Sequence, residues 1–150
     1  MAAETDLGRL LLQAHRVLAT ELREGMTERG YPDVRPGHAA AFMHIDRRSG
    51  TRLTDLARRA RMSKQGMMLV VDDLESRGYV RRVPDEEDGR AKVVRLTARG
   101  RRYVAEARRE MAALEGRARR DLGERRYEAL RSALNLLVGD EEAEDEEVLA

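Results

Sequence analysis

The chain has 150 residues, 41% hydrophobic and 38% charged, a composition that fits one highly charged globular domain with a real core. Its five aromatic residues are four Tyr and Phe42, so the core must be mainly aliphatic, and the absence of Cys excludes disulfides, thiolate catalysis and Cys-ligated zinc. No apolar run approaches the roughly 20 residues that span a bilayer, and no basic segment followed by an apolar stretch opens the chain, so a cytoplasmic protein with no membrane partner is expected. The net charge of +1 conceals a segregation. Residues 46–109 hold 18 Lys and Arg against 10 Asp and Glu, whereas residues 140–147 hold seven acids and no base.

From Leu7 to about Met26, apolar residues recur at Leu7, Leu10, Leu11, Ala14, Leu18 and Leu22, steps of three and four that predict an amphipathic helix stopped by Gly30 and Pro32. Pro36 and Gly37 open a short helix expected from Ala39 to about Arg47, broken by Ser49 and Gly50. Leu53, Leu56, Ala57 and Ala60 form one side of the next helix, with Thr51 and Thr54 as capping residues in front of it. After a turn at Arg61 and Met62, Ser63 is a good N-cap for a helix over Lys64 to about Arg77, with Gly78 as its stop. Met67, Val70, Val71 and Leu74 make its apolar stripe, which leaves Met68 and Leu69 off it.

Two short helices joined by a tight turn suggest a helix-turn-helix, a weak signal alone. The next residues strengthen it. Tyr79–Val83 and Lys92–Leu96 favour strands, and the polar run Pro84 to Arg90 between them has the punctuation of a turn. A β-hairpin directly after a helix-turn-helix is the order of a winged helix. Thr97 then caps a long helix with Val104, Ala107, Met111, Leu114 and Ala118 on one face, and after Gly123 a last helix carries Tyr127, Leu130, Leu134 and Leu137. These terminal helices have aliphatic stripes and no strands to cover them, so a second chain is expected against them. Residues 140–150 read as a disordered acidic tail, either an inert solubilising sequence or a competitor for the basic face.

The stretch Leu53–Gly100 resembles the winged-helix core of the multiple-antibiotic-resistance regulator (MarR) family. Leu56-Ala57, Ser63 to Leu74-Glu75, Gly78-Tyr79-Val80 and, most specifically, Asp88-Gly89-Arg90 followed by Leu96-Thr97 and Gly100 stand where that family's pattern expects them. The flanking helices fit the family's dimerisation region. The resemblance implies an obligate homodimer whose recognition helices enter successive major grooves while the wings reach adjacent minor grooves. It further implies a repressor-type regulator released by a small, commonly aromatic ligand bound between its two domains. Four positions depart from the pattern: Arg61 stands where Gly is frequent and is strained if its φ is positive, and Met68, Leu69 and Asp73 replace residues that are often polar or basic, so fewer hydrogen-bonding groups face the groove.

The fold class is therefore mainly α with a small β-hairpin wing, a winged helix-turn-helix DNA-binding core plus a helical dimerisation domain. Its expected parts are an N-terminal dimerisation helix in 1–35, the winged core in 36–100, C-terminal dimerisation helices in 101–139 and the tail in 140–150. Ser63, Lys64 and Gln65 begin the second helix, where side chains reach base edges, Gln pairing with adenine and Lys with guanine or phosphate. Met68 and Leu69 offer thymine methyl contacts or simple packing against a loop. Arg90 suits a narrow minor groove, with Asp88 positioned to orient its guanidinium. Lys92, Arg52, Arg58, Arg81 and Arg95 are expected phosphate contacts, which supply affinity and salt dependence rather than sequence choice.

His15, Tyr31, His38 and Phe42 come from the elements that line the family's ligand pocket, although half-buried interface positions explain them equally well. The histidines show no metal-ligand spacing, so neither metal nor cofactor is expected. Core packing explains Met62, Met67 and Met68 better than oxidation sensing does. No P-loop, nucleophile elbow or dinucleotide fingerprint occurs, and Asp72-Asp73 and Glu86-Glu87 are chain neighbours rather than convergent acids, so an enzyme is not expected. The function read from the sequence is a ligand-responsive, DNA-binding transcriptional regulator acting on a pseudo-palindromic operator. The alternative is a winged-helix protein-interaction module with only weak, nonspecific DNA binding.

Overall fold

A computed structural model describes residues 6–139; the expected acidic tail, 140–150, lies outside them. Helix α1, Leu7–Glu28, starts at Asp6, whose carboxylate accepts from the Arg9 amide at 2.9 Å, and it buries only Met26. A 3₁₀ turn, Pro36–His38, leads into α2, Ala39–His44. That helix is shorter than its apolar residues suggest, because Ile45 turns extended (ψ 118°) to enter the core and Asp46 takes the Arg48 and Ser49 amides at 2.8 and 2.6 Å.

Thr51–Arg52 then forms a two-residue strand, β1, in place of the expected helix cap. The Thr51 hydroxyl accepts from the Asp46 amide at 2.9 Å and donates to the His44 carbonyl at 3.2 Å. Helix α3, Leu53–Arg59, turns sharply into α4, Lys64–Ser76. The turn is closed by the Met62 amide on the Ala57 carbonyl at 2.8 Å, and Arg61 does take a positive φ of 51°. Ser63 caps α4 as its spacing predicts, accepting from the Gly66 amide at 3.0 Å.

Strands β2, Val80–Pro84, and β3, Lys92–Leu96, form the hairpin, and β1 adds to its free side in the antiparallel order β1-β3-β2. The register sets Val80 opposite Leu96, Arg82 opposite Val94 and Pro84 opposite Lys92. Side chains alternate faces along a strand, so Lys92, Val94 and Leu96 share one face of β3 while Val93 and Arg95 share the other. The long helix α5, Ala98–Leu122, is capped by Thr97, which accepts from the Gly100 amide at 3.1 Å. Gly123, at φ 79°, separates it from α6, Glu124–Val138.

The core is the meeting of α2, α3, α4 and the sheet. Leu56, Met67, Val71, Leu74, Val80 and Val94 are buried there, and each such side chain contributes about 1.5–3 kcal/mol of transfer free energy. Tyr79 is fully buried and packs among Tyr31, Phe42 and Tyr103, with ring centroids 5.6–6.3 Å away. Its hydroxyl donates to Asp33 at 2.6 Å and Arg99 lies over its ring at 4.6 Å. Four of the chain's five aromatics thus join the 31–34 turn and α2 to β2 and α5. Helix α5 also holds α1: Arg29 grips Glu110 at 2.8 Å and Glu106 at 3.1 Å. Outside these contacts, α1 and α6 present exposed leucines, among them Leu7, Leu10, Leu130 and Leu137.

Candidate nucleic-acid interface

Helix α4 divides its residues by face. Met67, Val71 and Leu74 point inward, while Lys64, Gln65, Met68 and Leu69 are exposed, the last by 64%. Ser63, Lys64 and Gln65 occupy the first turn, whose free amides and positive dipole end suit an anion. Asp73 does not face this way, contrary to the sequence reading. It lies on the flank of α4, where it accepts from Arg77 Nε at 2.9 Å and bonds His38 Nε2 at 2.7 Å. The hydrogen bond from Arg77 first, and then that from His38, hold its carboxyl below the usual range against partial desolvation. The acid that seemed to oppose DNA on the recognition helix is therefore consumed inside the protein.

The wing folds over Asp85 and Ala91, whose amide and carbonyl meet at 3.0 Å. Asp88 accepts the Arg90 backbone amide at 3.1 Å, so it shapes the turn; the geometry gives it no bond to the Arg90 guanidinium, which is exposed. Between the wing and the start of α4 lies a cleft of about 340 Å³. Arg52, Lys64, Arg82, Arg90 and Lys92 line it together with Thr54, and no carboxylate does. Lys64 and Lys92, the chain's only lysines, stand on its two sides.

The opposite face of the sheet differs. A groove of similar size is lined there by Asp46, Asp55, Asp85, Glu86 and Glu87 as well as by Arg52, Arg59 and Arg95. The acidic part of the wing thus points away from the lysine-lined cleft, a separation set by strand alternation and invisible in a count of charges. The Glu87 amide and Arg52 hold Asp85 below the ordinary carboxylate range.

The expected phosphate contacts are distributed unevenly. Arg52 is tied to Asp85 at 2.5 Å, Arg58 to Asp55 at 3.1 Å and Arg95 to Glu86 at 3.1 Å. Arg81 is exposed and, like Lys64, Arg90 and Lys92, has no carboxylate partner among the described residues. Arg82 is bound to Asp72 at 2.6 Å and Glu75 at 2.5 Å and serves to hold β2 to α4. Sequence reasoning missed Thr54 in the cleft; its position before a helical stripe suggested only a cap.

A second cavity, of about 140 Å³, sits between α1, the 31–39 segment and α5. Ala19, Leu22, Met26, Val34 and Tyr103 give it apolar walls, and His15, Arg23 and Arg35 are its basic members. Of the four expected pocket residues, His15 and Tyr31 line it. His38 and Phe42 do not: His38 is buried against Asp73, and Phe42 packs on Tyr103 with ring centroids 4.6 Å apart.

A helix-turn-helix followed at once by a three-stranded wing, with the second helix exposed along one face, defines a winged helix. The model of the MarR family matches residues 33–91, a segment that takes in the helix-turn-helix and the Asp88-Gly89-Arg90 wing on which the resemblance rested. The Rhodococcus transcriptional repressor CouR bound to a 23-mer DNA duplex is similar in structure, with a TM-score of 0.71, 23% identity, and coverage of 91% of this chain and 100% of that one. CouR from Rhodococcus jostii RHA1 bound to p-coumaroyl-CoA gives a TM-score of 0.68 at 22% identity over 88% of this chain and 91% of that one. At such identities the likeness is one of fold. The Mycobacterium tuberculosis MarR family protein Rv2887, in complex with salicylic acid, is 26% identical over 91% of this chain and 99% of that one, with a TM-score of 0.66. No curated protein matches the chain by sequence.

Proposed function

We propose that this chain is a sequence-specific DNA-binding transcriptional regulator, a homodimeric repressor of a pseudo-palindromic operator, and not an enzyme. The observation that carries this reading is the carboxylate-free cleft in which Lys64 of α4 meets Arg90 and Lys92 of the wing. Phosphate neutralisation by such cations supplies affinity, and the exposed Gln65, Met68 and Leu69 beside them supply choice of base.

The homodimer rests on α1 and α6. Their leucines, including Leu7 at 58% and Leu137 at 63% exposure, form apolar stripes that a single protomer leaves in water, and a second copy covers them. Two recognition helices related by a twofold axis read an inverted repeat. The 140 Å³ cavity is the effector site in this reading. Its volume is close to the roughly 150 Å³ of apolar cavities that accept one benzene ring, a size that suits a small aromatic ligand, and the basic rim favours an acid. No helix of the described residues is long and apolar enough to cross a membrane, and a cytoplasmic site of action accords with that.

Exposed Met68 and Leu69 also suit a protein partner, which keeps the interaction module as a second reading. Duplex binding separates the two. Arg90→Ala and Lys64→Ala are expected to weaken binding of the purified chain to duplex DNA while leaving its helical content intact. Binding unchanged by both variants would set the regulator reading aside.

A further inference from the structure

The cavity and the recognition helix share one residue neighbourhood. Arg35 lines the cavity, and its guanidinium Nη1 lies 3.8 Å from Asp73 Oδ2 on α4. The Arg35 backbone amide also donates to His38 Nδ1 at 3.0 Å. With Nδ1 accepting, the proton of the neutral ring sits on Nε2, which donates to the same Asp73 oxygen at 2.7 Å. Pro36 and Ala39, on either side of His38, line the cavity as well. The wall of the cavity is therefore bonded to the flank of the recognition helix through two contacts of very different quality. The His38 contact is short and buried, at 3% exposure, whereas the Arg35 contact is long and its side chain is 68% exposed.

Resting on the effector site proposed above, we infer that Arg35 is the residue that transmits an anionic effector to α4: a carboxylate in the cavity competes with Asp73 for its guanidinium. Arg35 is the contact most easily surrendered, since a long exposed ion pair holds little free energy, and a charge-assisted bond to a carboxylate in a partly enclosed cavity is the stronger one. When Arg35 turns to the ligand, Asp73 keeps His38 and Arg77. The helix stays folded and changes its seating against the 35–39 segment. His38 is a positioning residue in this scheme, because it makes the movement of the cavity wall and that of α4 one movement. A neutral ring of the same shape fills the cavity without drawing Arg35 away.

Amide NMR shifts of the full chain test this without reference to DNA, with sodium salicylate and its neutral analogue salicylamide as the probes. Salicylate is expected to shift residues of the cavity wall together with residues 70–76 of α4, and salicylamide the wall alone. In Arg35→Gln the salicylate response of α4 is expected to be lost while wall shifts remain; Arg35→Lys, which keeps the charge, retains part of it. An α4 response equal for the two probes, or one that persists in Arg35→Gln, overturns the inference. So does a chain whose cavity wall ignores salicylate, because the basic rim is then not an anion site. Loss of duplex binding in Lys64→Ala bears on the regulator reading alone, so each proposal can fail separately.

Discussion

Lys92 and Arg95 are three residues apart on β3, both cationic and both expected at phosphates, yet they lie on opposite faces of the wing. Lys92 lines the carboxylate-free cleft, whereas Arg95 lines the acid-rich groove and is bonded to Glu86 at 3.1 Å. Each phosphate neutralised adds about 0.9 to the slope of log affinity against log salt. In the proposed dimer, Lys92→Ala is expected to remove one contact from each protomer and to lower the slope by about 1.8. Between 50 and 200 mM salt that difference amounts to about a 12-fold smaller loss of affinity than the unaltered chain suffers. The variant is therefore much the weaker binder at low salt and approaches the parent at high salt. Arg95→Ala is the control: its guanidinium is already neutralised on the far face, so the slope stays within error of the parent's. Fluorescence anisotropy with one labelled duplex across four salt concentrations reads both slopes. An unchanged slope in Lys92→Ala, or a larger fall in Arg95→Ala, would refute the assignment of the DNA face.

Other consequences follow from particular contacts. Gly100 lies where a Cβ would come within 2.1 Å of the Tyr79 carbonyl oxygen, itself fixed by the Thr97 amide at 3.0 Å; Gly100→Ala is expected to lose about 1–3 kcal/mol to overpacking, read as a lower midpoint in urea, and equal stability would contradict the packing described. Tyr79 is pushed up to about 12 by burial first and by its bond to Asp33 second. A group whose pKa is raised on folding stabilises below its unfolded value, so stability is expected to fall as pH climbs from about 10 towards 12. Tyr79→Phe should flatten that alkaline decline in a denaturation series. In α1, Leu11→Glu puts a charge into the proposed apolar seam; the parent is expected to sediment as a dimer and the variant as a monomer at the same concentration, with DNA affinity reduced in step.

The helices and hairpin were legible because their signals are local. Apolar steps of three and four mark α1 and α4, Ser63 and Thr97 cap as their spacing suggests, and the Pro84–Arg90 run separates two β-favouring stretches. Strand β1 was not legible, since two residues carry no period, and it exists only because β3 has a free edge for Thr51 and Arg52. The same holds for charge. Asp73 reads as a groove-facing acid until His38, 35 positions away, claims it. Asp88 and Arg90 read as a side-chain pair, yet the carboxylate meets the backbone amide. The cavity is likewise tertiary: His15, Tyr31 and Tyr103 are far apart in the chain and meet only when α1 packs on α5.

The central claim is that two copies of this winged helix read an inverted repeat. Selection of the purified chain against random duplexes, followed by sequencing, tests it most directly. The account predicts enrichment of two like half-sites in opposite orientation, with centres about one helical turn, about 34–36 Å, apart, and loss of that enrichment in Arg90→Ala. A pool that remains random, or a single asymmetric half-site retained equally by Arg90→Ala, would contradict it.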